Sequence, residues 1–254
     1  MGGCYGQIHL RDFMKDYLEM VKVSVLRDTD QGTFETYKVP LNAEQTILDL
    51  LTFIQRNIDP SLSYRFACRV GMCGSCAMQV NGKPRWTCRT LVRKVLRNNE
   101  LILEPLPNLP VVKDLVVDME GFFDKWQEAK GRFEPSDPAV QKFVPIKPDD
   151  PERKLADEAI ECINCGCCYA ACDVVANNED YLGPAALNRA WSLVNDSRDG
   201  GNNERLKSVS AEGGCQNCHS NSQCAARCPL QLNPTRSIAG LKKKVAFATL
   251  KGQI

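Results

Sequence analysis

Residues 162–172 read CINCGCCYAAC, and residues 215–228 read CQNCHSNSQCAARC. In the first stretch Cys162, Cys165, Cys168 and Cys172 stand as C-x2-C-x2-C-x3-C. That spacing binds iron-sulfur clusters in pairs, because the fourth cysteine of each run goes to the other cluster. The second stretch supplies the partner frame as Cys218, Asn221, Cys224 and Cys228, followed by Pro229, with Asn221 where a thiolate is expected. Exchanging the last cysteines gives one set of four thiolates, Cys162, Cys165, Cys168 and Cys228, suited to [4Fe-4S]. The other set, Cys172, Cys218 and Cys224, has three and suits [3Fe-4S], since an uncharged amide is a poor ligand for a fourth iron. Cys215 stays open: it fits as a replacement for Cys218 or as a fourth ligand of the second cluster. Cys167 reads as a small buried thiol turned away from the cluster. A further departure is Asp173, where such runs usually continue with proline.

Upstream, Cys68, Cys73, Cys76 and Cys88 stand as C-x4-C-x2-C-x11-C, within FACRVGMCGSC and TCRTL. The first three match the two-iron spacing in which one tight loop holds three thiolates and a neighbouring strand brings the fourth. Gly71 and Gly74 give that loop unusual backbone angles, so that amides can face the sulfurs. Arg65, Arg69, Lys83, Arg85 and Arg89 lie in the same segments and favour an anionic cluster. The alternative is a structural zinc-binding protein, but zinc prefers repeated short C-x2–4-C pairs. The spacing points to [2Fe-2S].

The whole chain agrees with a redox protein. Its 254 residues suffice for about two domains. With 43% apolar and 25% charged residues and a net charge of +1, it has the composition of a soluble globular protein and no basic excess for nucleic acid. The fourteen cysteines are clustered rather than spread as a disulfide framework. Arg11, Asp12, Lys15 and Asp16 break any apolar leader, and no apolar run reaches the ~18 residues of a membrane span. With only His9 and His219 present, mixed Cys/His zinc sites have almost nothing to use.

Periodicity divides the chain. Val21, Val23 and Val25 alternate with Lys22 and Ser24 as in a half-buried strand, and Ile47, Leu50, Leu51 and Ile54 fall at helical spacing. Asn81-Gly82 between CAMQV and KPRWTC predicts a hairpin, and LILEPL a last strand. Five prolines between Pro135 and Pro151 mark a linker. KLADEAIEC, AALNRAWSLV and RSIAGLKKKVAFATL favour helices. The expected organisation is an extension over 1–20, a mixed α/β domain over 21–120, a linker over 121–151 and a helical domain over 152–254. Residues 231–254 carry Arg236, Lys242, Lys243, Lys244 and Lys251 and no acid, with Ile238, Leu241, Val245 and Ala248 on one helical face. Such a face suits docking at a membrane anchor or, equally, packing as a core helix.

Together RVGMCGSC, CINCGCCYAAC, YLGPAAL, NDSRD and CPLQLNPTR resemble the iron-sulfur subunits of the succinate dehydrogenase and fumarate reductase family, from about residue 21 to the end. The resemblance implies an α+β chain: a β-grasp domain of plant-type ferredoxin character, then an all-α, two-cluster domain of bacterial type. It also implies an FAD-containing catalytic flavoprotein partner and membrane-anchor subunits of cytochrome b type with haem. Menaquinone or ubiquinone would lie near the [3Fe-4S] cluster, and the chain would sit peripherally on the cytoplasmic face of the cell membrane. No catalytic side chain is expected here. His219 and Lys242 are similar in motif position to family residues lining the quinone pocket. Succinate-oxidising members often carry tryptophan just after the cysteine equivalent to Cys172, and DVVANN here leans toward fumarate reduction. The iron-sulfur protein of a thiol-driven fumarate reductase or a glycolate oxidase is the alternative with the same wiring.

Overall fold

The computed structural model describes residues 19–28, 31–137 and 144–254, so Cys4 and most of the expected 1–20 extension lie outside the described residues. Strand β1 (Glu19–Asp28) pairs antiparallel with β2 (Thr33–Leu41). Its alternation behaves as the residues dictate: Val21, Val23 and Val25 are fully buried while Lys22 reaches across to Glu100 at 2.8 Å on the solvent face. Helix α1 (Ile47–Asn57) starts at a capping box in which Asp49 N–H donates to Thr46 Oγ1 and Thr46 N–H to Asp49 Oδ2. Such a cap is worth about 1 kcal/mol. The helix buries Ile47, Leu50, Leu51 and Ile54, the residues set at helical spacing.

Strands β3 (Ala77–Val80) and β4 (Lys83–Trp86) form the predicted hairpin, with Asn81 and Gly82 both at positive φ, as the tight turn requires. Asn81 also accepts from Ile102 N–H, tying the turn to β5 (Glu100–Glu104). The five strands make one mixed sheet in the order β2-β1-β5-β3-β4, with β1 and β5 parallel. A small hairpin, β6 (Val111–Lys113) and β7 (Val116–Val117), follows. The stretch expected as a linker from 121 instead opens with helix α2 (Glu120–Glu128). Phe122 holds it down, buried and edge-on to Tyr169 at 5.4 Å, a contact that short-range sequence signals do not carry.

The rest is helical. Helix α3 (Pro151–Ile160) begins with Asp150 capping Glu152 and Arg153 amides. Helix α4 (Gly183–Val194) is buried along almost its whole length, and α2, α3, α5 (Asn202–Ser210) and α6 (Pro234–Leu250) pack around it. Asn233 caps α6 through Arg236 N–H. Gly240 lets α6 close on α4, since a β-carbon there would lie 2.5 Å from the Trp191 ring. Ile238, Leu241, Val245 and Ala248 all face this core, so the stripe that suited either docking or packing is a packing face. The large apolar residues that α6 leaves exposed are Phe247 and Leu250.

Among the described residues one ion pair is fully buried. Arg205 on α5 donates to both Asp199 oxygens at 2.7 and 3.1 Å, and both side chains are 0% exposed. The remaining capacity is used: Asp199 accepts from Gly201 and Glu134 amides, and Arg205 donates to the Lys130 and Arg132 carbonyls. The pair thus fastens the strap after α2 to the helical bundle. The two halves also share a core in which Ala77, Leu106, Val117 and Phe122 pack with Cys167, Cys168 and Ala185.

Candidate metal centres

The cysteine loop between α1 and β3 is shaped by left-handed backbone at Arg69, Gly71 and Gly74. Gly71 is pressed against Trp86, whose ring would lie 2.8 Å from a β-carbon. This curvature aims the Met72 and Cys73 amides at Cys68 Sγ, at 3.2 and 3.3 Å. Cys76 and Cys88 are buried beneath, and Thr87 Oγ1–H donates to the Cys76 carbonyl. A Ser75 hydroxyl 3.1 Å from Cys73 Sγ pulls that thiol down to about 6, whereas burial, then Cys76, pushes Cys88 up to about 12. The loop thus brings Cys68, Cys73, Cys76 and Cys88 together, with amide donors already turned toward sulfur. The cationic residues of this segment have separate duties. Arg65 donates to the Val117 carbonyl and lines a cavity with Asn164 and Cys165, Arg69 pairs with Asp49 at 3.5 Å, and Arg85 lies near Arg227 and Cys167 of the helical half.

The second site is a cavity between the two helical cysteine runs. Cys162, Cys165, Cys168 and Cys228 line it, with Ala185, Pro229, Leu230 and Leu232 as apolar wall. Three of these cysteines come from one run and the fourth from the other, which is the crossed set. Burial pushes the Cys162 thiol up to about 11 and the buried Cys168 thiol far up, each with neighbouring thiols adding to the effect. Gly166, at φ 77°, starts the short turn Cys167–Ala170 and folds Cys167 back. Cys167 is buried as expected and is not among the residues lining the cavity; interaction with Cys165 raises the Cys167 thiol and lowers that of Cys165.

At the third site Cys172, Cys218 and Cys224 sense one another: burial raises Cys172, with Cys224 and Cys218 adding. Two neighbours were not legible from spacing. Tyr181, 1% exposed, lies close to Cys218, with burial and then that thiol raising its hydroxyl, and Thr235 Oγ1 lies 3.2 Å from Cys224 Sγ. Both belong to stretches that mark the family resemblance, YLGPAAL and CPLQLNPTR, but nothing in those stretches says that they meet sulfur. Lys242 reaches the same loop and donates to the Cys218 carbonyl at 2.8 Å, whereas His219 is exposed beside it. Asn221 donates to Asp173 Oδ2 at 2.8 Å. Cys215 is fully buried in the helical core, where burial pushes its thiol up and Lys242 opposes this.

Among the described residues no three Cys, His, Asp or Glu side chains close to the spacing of a single ion. An iron-sulfur core spreads its ligands around several atoms, and the donor sets here, soft thiols around apolar space with amides aimed at sulfur, fit such a group.

Comparison with known proteins agrees with this chemistry. Residues 17–124 match the family model of a 2Fe-2S iron-sulfur cluster binding domain, and residues 161–233 that of a 4Fe-4S dicluster domain. The fold and sites therefore define an iron-sulfur protein that carries electrons. The fumarate reductase iron-sulfur subunit of Haemophilus influenzae is 34% identical, over 86% of this chain and 90% of its own length. The mitochondrial succinate dehydrogenase [ubiquinone] iron-sulfur subunit 1 of Oryza sativa is 38% identical, over 82% of this chain and 74% of its own. A chain of the Mycobacterium smegmatis Sdh1 complex superposes with a TM-score of 0.82 at 26% identity, covering 91% of this chain and 97% of that one. The chain belongs to the family of fumarate reductase and succinate dehydrogenase iron-sulfur subunits.

Proposed function

We propose that the chain is the electron-transfer subunit of a membrane-bound quinol:fumarate reductase, carrying single electrons between quinone and the FAD of a catalytic flavoprotein subunit. The observation that carries this reading is the single cavity lined by Cys162, Cys165, Cys168 and Cys228, a set that only the crossed pairing of two runs supplies. In this reading Cys68, Cys73, Cys76 and Cys88 hold [2Fe-2S], the cavity holds [4Fe-4S], and Cys172, Cys218 and Cys224 hold [3Fe-4S]. Bound clusters supply one-electron chemistry. The chain's own part is to gather thiolates, point amides at them and wall out water. Neither half needs a general acid or base, so no catalytic residue is assigned.

The mixed sheet is read as a ferredoxin-type domain of plant character over 21–120 and the helices as a bacterial-type one over 152–254. The segment 121–151, which opens with α2, joins them, and 1–20 forms an extension. The membrane anchor would meet the surface around His219 and Lys242, on the cytoplasmic side. Among the described residues no helix is long and apolar enough to cross a membrane, which is consistent with a peripheral subunit on anchor subunits that hold haem. The direction toward fumarate rests on DVVANN after Cys172, where a tryptophan is absent. The test is to purify the native complex, measure its iron, sulfide, flavin and haem, and assay fumarate reduction by quinol and succinate oxidation by quinone. Faster fumarate reduction with bound flavin supports the reading. A colourless, iron-free chain would establish a zinc protein, and a flavoprotein partner active on glycolate or thiols would establish the other wiring.

A further inference from the structure

Gly74 lies between Cys73 and Cys76 in the first cysteine loop, and its neighbour in space is the backbone of another. A β-carbon built on it would lie 2.7 Å from both Cα and Cβ of Cys165 and 3.0 Å from the Ile163 carbonyl oxygen. No side chain intervenes there, so the two loops touch main chain to main chain. Beside the contact a cavity of about 160 Å³ is lined by Cys73, Ser75, Asn164 and Cys165. The approach is held from both sides by rigid packing, with Leu106, Val117, Phe122 and Cys168 in one core and Arg65 bonded to the Val117 carbonyl.

We propose that Gly74 is a positioning residue that fixes the separation between the [2Fe-2S] loop and the [4Fe-4S] loop. This rests on the cluster reading given above. One-electron exchange falls exponentially with separation, so an added β-carbon that wedges the loops apart slows transfer while leaving the thiols in place. Neither neighbour at the contact can yield cheaply, because both are backbone or ligand rather than the end of a flexible side chain.

The left-handed angle of Gly74 (φ 70°) could by itself make a substitution costly, and Gly82 separates the two effects. It has almost the same φ, 72°, but open space where the β-carbon would go. Asparagine adds a further control, because it tolerates the left-handed region but still carries a β-carbon. The experiment uses the purified complex with Gly74→Ala, Gly74→Asn and Gly82→Ala. Iron content and visible absorption are measured first. Microwave-power saturation of the reduced [2Fe-2S] EPR signal then reports its magnetic coupling to the reduced [4Fe-4S] group, which falls with the cube of the distance. Both Gly74 variants should keep parental iron and absorption but lose relaxation enhancement, whereas Gly82→Ala should match the parent in both. Parental saturation in the Gly74 variants, equal loss in Gly82→Ala, or loss of the two-iron group itself from the Gly74 variants would each overturn the proposal. Absence of any relaxation enhancement in the parent would instead overturn the cluster reading on which it rests.

Discussion

The Asn221 side-chain amide donates to the Asp173 carboxylate at 2.8 Å, so the two residues that depart from the paired cysteine runs are partners of one another. Asn221 stands where a thiolate is expected, and Asp173 follows the cysteine lent across from the first run. The bond leaves Asn221 committed to a carboxylate rather than to sulfur chemistry.

Two substitutions follow from that bond. Asp173→Ala frees the Asn221 amide but removes no thiol, and because both residues are exposed the cost should stay below about 1 kcal/mol. The oxidised three-iron EPR signal should persist in it. Asn221→Cys restores the missing thiolate, so iron content should rise and the three-iron signal should fall. An unchanged signal and iron content in Asn221→Cys would show that position 221 does not face the cluster.

Cys215 is fully buried next to Lys242 and Cys218 but lies in the helical core. Cys215→Ser places a hydroxyl in that core and should lower stability by about 1–3 kcal/mol, read from thermal unfolding, with iron content unchanged. Loss of the three-iron signal at preserved fold would make Cys215 a ligand.

The Arg205–Asp199 pair predicts a non-additive cycle. Either residue alone, changed to Ala, strands a buried charge and should cost about 3–5 kcal/mol, whereas Arg205→Met with Asp199→Leu should cost less than the two single losses together. Denaturant midpoints give the comparison. Single losses below about 1 kcal/mol would mean that the pair does not fasten the strap.

Acid sensitivity should reside partly in Asp59. Its carboxyl is held well below the usual carboxylate range by Ser61, then by Arg27 and Tyr37. A depressed folded-state pKa stabilises above the unfolded value near 4 and is lost as pH falls through that value toward the folded one. Asp59→Asn should therefore narrow the drop in thermal midpoint between pH 5 and pH 2. An equal drop in both proteins would place the acid sensitivity elsewhere.

Local signals carried much of this fold. Val21, Val23 and Val25, the Ile47–Ile54 face and Asn81-Gly82 each act within a few residues, so strand, helix and turn could be named from them. That Cys162, Cys165, Cys168 and Cys228 share a cavity was legible for a related reason, since cluster chemistry constrains spacing along the chain. Helix α2 was not, because Phe122 finds its partner Tyr169 only in the folded protein. The role of the α6 stripe was undecidable until Gly240 was seen to admit Trp191. Tyr181 beside Cys218, Thr235 beside Cys224 and Gly74 against Cys165 are likewise contacts between distant segments, where spacing says nothing.

The central claim is the exchange of cysteines between the two helical runs, and EPR of the purified Cys228→Ser complex tests it most directly. Cys228 follows Cys224 in sequence yet lines the cavity of Cys162, Cys165 and Cys168. The account predicts that the oxidised three-iron signal survives while the reduced four-iron signal is lost. Loss of the three-iron signal with the four-iron signal intact would contradict it.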